Sequence, residues 1–309
     1  MRNGPSENLV ETTGTIVGRQ FSSLHPALWR WHWRRTWKGM LASSLVLVIF
    51  AWVFIWAMSL LKATAMAEIV EILPEFIKRS FGEDLYLYTT KAGQVSIVFR
   101  HLVTLLVCLG WALAKGSDCV SGEISRGTME HLLVLPLRRG TLLLVPTVLA
   151  TIGAAVLALS VWVGLALGLG TVERFSDLSA WQFVPGAINL FCLTFAMGGL
   201  TTLLSSMDHD RWRPIWLATG IFIVESIIAM VAYVWPSGWW LHWLTFLSVF
   251  EPQRLILKPE AVWTLPLGPF GGISWPLAVW YNSVLLLLGF IWYTAAWWIF
   301  VRRDIPVAQ

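Results

Sequence analysis

Charge is what this chain has least of. Asp, Glu, Lys and Arg make up 13% of its 309 residues and hydrophobic types 57%, with a mean hydropathy of +0.67. A soluble domain carries roughly 25% charged residues. The deficit, together with several apolar runs of about 20 residues, indicates a polytopic membrane protein. Cysteine is also scarce. Cys108, Cys119 and Cys192 have no paired spacing, and Cys108 and Cys192 fall within apolar runs, which excludes a disulfide framework and a zinc site. No G-x-x-x-x-G-K-[ST] loop is present to cradle a nucleotide, and neither H-E-x-x-H nor G-x-S-x-G occurs. The first 35 residues lack the early apolar core of a cleavable signal peptide. No stretch is long and polar enough for a second globular domain, and no internal repeat is visible.

What the chain has is tryptophan, 21 residues of it, many at the ends of the apolar runs where amphipathic rings favour the lipid–water boundary. Residues 1–20 are polar and expected to be a disordered tail. Residues 21–36 interleave Trp29 and Trp33 with Arg30, Arg34 and Arg35, a pattern that predicts an amphipathic interfacial helix anchored by those five side chains. Interleaved basic and aromatic residues can also bind nucleic acid, but beside an apolar run lipid is the expected partner.

The fold class expected is an all-α polytopic membrane domain over residues 21–303, with six transmembrane helices at about 37–61, 95–114, 141–169, 181–204, 214–234 and 276–300. Short amphipathic helices are expected on the outer surface within 62–93. The stretch 235–275 is too long for a turn, and its apolar part is too short for a span. It reads as an outer re-entrant or interfacial segment. Six spans put both termini on one side. Segments on that side hold fourteen of the 22 Lys and Arg residues and the opposite segments seven, a bias that places both termini in the cytoplasm.

Two ionisable residues fall inside the expected spans. Glu225 lies near the middle of the fifth, where an isolated charge costs about 2.5–3.5 kcal/mol, so it needs a partner or a proton. A structural hydrogen bond to a neighbouring helix and a place on a transport path are both open readings. Arg100, with His101, lies shallowly in the second span, where its side chain can snorkel outward. The run Asp208-His209-Asp210 has metal-ligand chemistry but no second cluster, and reads as a solvated turn.

The stretch between spans two and three carries Glu123, Arg126, Glu130, Arg138 and Arg139. If residues 122–135 form one helix, Glu123, Arg126 and Glu130 share a polar stripe, Ile124, Met129, Leu132 and Leu133 face away from it, and Pro136 limits the helix. Such a helix suits docking of a soluble partner; a solvated loop obeying the inside-positive rule is the plainer reading of the same charges. The run Gly122-Glu123-Ile124-Ser125-Arg126-Gly127-Thr128-Met129-Glu130-His131-Leu132-Leu133-Val134-Leu135-Pro136-Leu137 closely resembles the cytoplasmic segment of ABC-2-type transporter permeases. Those carry an acidic residue, Arg-Gly-Thr, a hydrophobe, Glu, a Leu-rich run and Pro at this place. Leu73-Pro74 with Phe81-Gly82, the basic Trp-rich helix and Leu247-Ser248-Val249-Phe250 are similar to other parts of the family. Val145-Pro146 departs from the Gly-Lys pair that often enters span three.

The resemblance implies a permease subunit of an ABC exporter in the cytoplasmic membrane. It implies a homodimer or heterodimer of permeases served by two copies of an ABC ATPase. ATP and Mg would be bound by that ATPase, and no cofactor or metal by this chain. Glu123, Arg126, Gly127, Thr128, Glu130, Leu132 and Leu133 would form the ATPase-coupling site. By family analogy spans two and five line the path, with Glu225 and Arg100 as candidate path residues. Two other classes compete: a membrane-embedded lipid-modifying enzyme, whose candidate polar group would be Asp208 to Arg213, and a non-transporting scaffold or sensor subunit using the same docking helix.

Overall fold

The computed structural model describes residues 26–60, 72, 74, 89–134, 138–266 and 272–303. The expected tail over 1–20, nearly all of the outer helices expected within 62–93, and Pro136 lie outside the described residues. Among the described residues six helical stretches are long and apolar enough to cross a membrane: Pro26–Leu60, Lys91–Asp118, Arg139–Thr171, Ala180–Met207, Trp212–Val234 and Leu277–Arg302. The chain is an all-α polytopic membrane protein.

The first helix, α1 (Pro26–Leu60), is unbroken over 35 residues. At 1.5 Å per residue it is about 52 Å long, whereas a bilayer's hydrocarbon core is about 30 Å thick. The interfacial helix and first span expected as two elements are thus one, and the surplus length holds the Arg- and Trp-rich turns. Leu28, His32 and Thr36 recur every fourth residue on its buried face, while Arg30, Trp33, Arg34 and Trp37 are exposed.

Span two is interrupted. α2 (Lys91–Ser96) and a 3-10 turn at Ile97–Phe99 lead to Arg100, and α3 begins at Leu102 and runs to Asp118. His101 accepts a hydrogen bond from the Val103 amide (3.2 Å) and so caps α3. Arg100 is exposed at this break, not embedded in a continuous helix as its place in the apolar run suggested.

Two short helices follow, α4 (Ser121–Ser125) and α5 (Thr128–Leu133), then the long α6 (Arg139–Thr171), α7 (Val184–Met207), α8 (Trp212–Val234) and, last, α10 (Leu277–Arg302). α7 is the central helix: 72% of its span is buried, against 11% for α8. α1 packs on α6, where a Cβ at Gly164 would collide with the Val48 carbonyl and one at Gly168 would meet Ile55 at 2.6 Å. Between α8 and α10 the chain forms 3-10 turns at Pro236–Trp243 and Phe246–Val249, then α9 (Pro252–Leu257). β1 (Val262–Pro266) and β2 (Gly272–Pro276) follow as an antiparallel hairpin pairing Thr264 with Ser274. The hairpin is an addition to the expected architecture.

The core divides in two. The larger cluster runs through the bundle around Leu157, Phe99, Leu190 and Met197. The smaller joins Leu28, Val120, Met129, Leu142, Leu143, Ala296 and Phe300, drawn from the start of α1, the linker after α3, α5, and the facing ends of α6 and α10. We call the face where α1 starts and α10 ends the proximal face.

Candidate functional site

The segment 121–134 sits on the proximal face, and its geometry differs from the single helix expected over 122–135. Gly127 has φ +69°, a left-handed conformation in which Cβ-bearing residues are strained, and it separates α4 from α5. The charge stripe of a continuous helix is therefore broken at its middle. Thr128, at the start of α5, reaches back to donate to both the main-chain carbonyl (3.1 Å) and the carboxylate of Glu123.

Glu123 is turned inward, with 3% of the residue exposed. Its Oε1 lies 3.1 Å from Arg35 Nη1 on α1 and 2.8 Å from Arg126 Nη2. Arg126 Nη1 lies 2.9 Å from Asp118 Oδ1 at the end of α3, and Arg211 Nε, just before α8, is 3.3 Å from the same oxygen. Burial alone would lower the pKa of the Arg126 guanidinium; Asp118 and Glu123 more than offset it and raise it above its usual value. Two residues expected on the docking surface thus tie the segment to α1, α3 and the entrance to α8.

Hydroxyl groups add a second set of ties. The Ser121 amide donates to Ser205 Oγ (2.9 Å), and Ser205 Oγ donates to the Ser117 carbonyl (2.9 Å), locking α4 to the end of α7. Ser125 Oγ donates to the His209 carbonyl (3.0 Å) and accepts from the Arg211 amide (3.1 Å). Met129 is buried, and Ile124, Leu132 and Leu133 pack partly buried against the smaller core. Glu130 is half-buried; Ser125, Gly127, His131 and Val134 are exposed. Arg35, Asp118, Arg211 and the serines have no mark in the sequence, because 84 or more residues separate several of them from their partners.

The proximal polar residues enclose a cavity of about 200 Å³ lined by His32, Arg35, Thr36, Lys115, Asp118, Glu123, Arg126, Pro146 and Arg211. Asp208 lies in the turn after α7, where it accepts from the His209 and Asp210 amides (2.7 and 3.1 Å). Burial alone would raise its pKa. Those two amides and Arg213 outweigh burial and hold it below the usual aspartate range. Arg303 Nη2 lies 2.8 Å from His209 Nε2, and no group of three or more metal-ligating residues occurs among the described residues. Asp208, His209 and Asp210 are therefore taken up in a turn.

The chain matches the family model of the ABC-2 family transporter protein over residues 32–304. It belongs to that family. Comparison with curated proteins finds no match. As an ABC-2 permease it is a multi-pass membrane protein of an ABC transporter and implies an associated ABC ATPase.

Glu225 is placed on α8 against the segment that joins α8 to α10, here called the distal segment. Its Oε2 accepts from the Phe246 amide (3.0 Å), and Thr245 Oγ1 donates to its carbonyl (3.2 Å), so the carboxylate serves the first turn of the 3-10 helix at Phe246–Val249. A second cavity of about 620 Å³ lies under this segment, with Tyr233, Trp280, Tyr281 and Trp292 in its wall beside Glu251 and Arg254. Glu251 accepts from Tyr233 Oη. Of the predicted interfacial anchors, Trp29 is half-buried, Arg30, Trp33 and Arg34 are exposed, and Arg35 is the one drawn to Glu123.

Proposed function

We propose that the chain forms the translocation path of an exporter and is driven by a separate ATPase that docks on residues 121–134. ATP and Mg belong to that ATPase; this chain supplies no catalytic group and binds no cofactor. Two permease copies, or this chain and a paralogue, pair with two ATPases in the cytoplasmic membrane, with both termini and the proximal face in the cytoplasm. The two-to-one excess of basic residues on that side supports the orientation.

The observation that carries the coupling role is the Arg35–Glu123–Arg126–Asp118–Arg211 chain of ion pairs. It makes the docking segment one body with the ends of α1, α3 and α8, so a push on the exposed end of α5 moves three spans together. Glu123 and Arg126 then act as struts, and the ATPase meets Ser125, Gly127, His131 and Val134, with Glu130, Leu132 and Leu133 at the margin. The aromatic wall of the distal cavity supports a hydrophobic or amphipathic cargo.

The test is Val134→Glu in the permease co-expressed with its ATPase, since Val134 is 86% exposed and a change there leaves the core intact. Co-purification of the ATPase and permease-stimulated ATP hydrolysis should both fall by about tenfold or more, the loss expected when a charge is forced into an interface. Unchanged values for both, with normal folding, would remove this segment as the docking site.

A further inference from the structure

The proximal cavity holds more positive charge than its own carboxylates neutralise. Arg35, Lys115, Arg126 and Arg211 line it, against Asp118 and Glu123 alone, an excess of two positive charges. Three of the four cations are engaged by those carboxylates. Lys115 is not: among the described residues its ammonium has no carboxylate within ion-pair distance and stands over the Trp111 ring at 5.2 Å. His32, 8% exposed, lines the same cavity, and its Nε2 has no hydrogen-bond partner. Arg211 Nε lies near Asp118 without hydrogen-bond geometry. Unpaired buried donors and uncompensated charge both cost free energy unless a ligand answers them.

We propose that this cavity is a binding site for a phosphate group. A tetrahedral oxyanion presents several acceptors, and the Lys115 ammonium and the guanidinium groups of Arg35, Arg126 and Arg211 line this cavity as donors, with the unpartnered His32 ring beside them. The volume admits such a group with accompanying water. The walls match, since Pro146 is the single residue lining the cavity without a polar side chain. Lys115 lies one turn from the end of α3, and the same stretch of α1 exposes Arg30, Trp33 and Arg34, which is the chemistry of the headgroup layer. The phosphate can therefore come from an anionic phospholipid headgroup or from a free phosphate species. Either would bridge α1, α3 and the entrance to α8 across the Glu123–Arg126 pair. The site does not depend on the ATPase docking proposed above.

The experiment uses the full-length protein, purified and stripped of lipid in a maltoside detergent, which carries no phosphate. It is titrated separately with phosphatidylglycerol and with inorganic phosphate, and binding is followed by ³¹P NMR and by retained lipid in native mass spectrometry. Saturable binding of either probe is expected, and which one binds identifies the source. Lys115→Gln should weaken it by about tenfold or more, the loss of one charge-assisted hydrogen bond. Lys115→Arg, which keeps the charge, should restore most of it and shows that loss of binding is not loss of folding. Lys38→Gln, exposed on α1 outside the cavity, should leave it unchanged. Binding of neither probe, or equal weakening by Lys38→Gln and Lys115→Gln, overturns the proposal.

Discussion

Glu123, expected on a solvent-facing polar stripe, is turned inward. A helical wheel puts it on a polar stripe, and polar stripes ordinarily face water. Here it is buried and paired with two guanidinium groups, one of them 88 residues away. Glu123→Gln removes the charge on which Arg35 and Arg126 converge. Both partners keep some solvent contact, so the expected cost is about 1.5–3 kcal/mol, the range for hydrogen bonds to charged groups. Thermal unfolding of the purified permease should show it as a lowered Tm. Asp208 gives a pH dependence. Its folded pKa is depressed, so its contribution is fully present above the ordinary aspartate value near 3.9 and is lost as pH falls through the lower folded value. The protection of the His209 and Asp210 amides, taken from their exchange rate relative to the intrinsic rate at each pH, should therefore fall only on acidification below about pH 4, and should be flat between neutral pH and that point.

At the scale of elements, apolar run length gave the number of spans but could not show where a helix breaks. The break at Gly127 turns the 121–134 segment into two helices, and the reason is a single backbone conformation. Gly127→Ala should cost about 1 kcal/mol of strain, and Gly127→Asn less, because asparagine tolerates the left-handed region better. Measured against wild type, permease-stimulated ATP hydrolysis should follow the same order. Glu225 separates the two readings left open for it. Glu225→Ala loses the acceptor for the Phe246 amide and should loosen the Phe246–Val249 turn by about 1 kcal/mol, seen as faster amide exchange there. Glu225→Gln keeps an acceptor and should preserve the turn. Transport lost in Glu225→Gln with the turn intact would assign the carboxylate to the path.

For the whole molecule, the six spans bring the start of α1 and the ends of α3, α7 and α10 to one face, and the hairpin and 3-10 turns to the other. The three cysteines are buried, so background labelling by a membrane-impermeant thiol reagent is low. His131→Cys should react only after the cells are opened, and Glu260→Cys, exposed before β1, should react in intact cells. The reverse result would invert the orientation and with it the docking proposal.

Composition, run length and the Arg-Gly-Thr-bearing stretch were enough for the membrane class, the number of spans and the family. Those properties depend on the sum of many apolar residues or on one contiguous motif, and both are written along the chain. The ion-pair chain, the serine ties to α7, the partner of Glu225 and the cationic cavity came only with the tertiary structure. Most of these contacts bring groups far apart in sequence to within about 3 Å of one another, and no local pattern encodes which charge another will find.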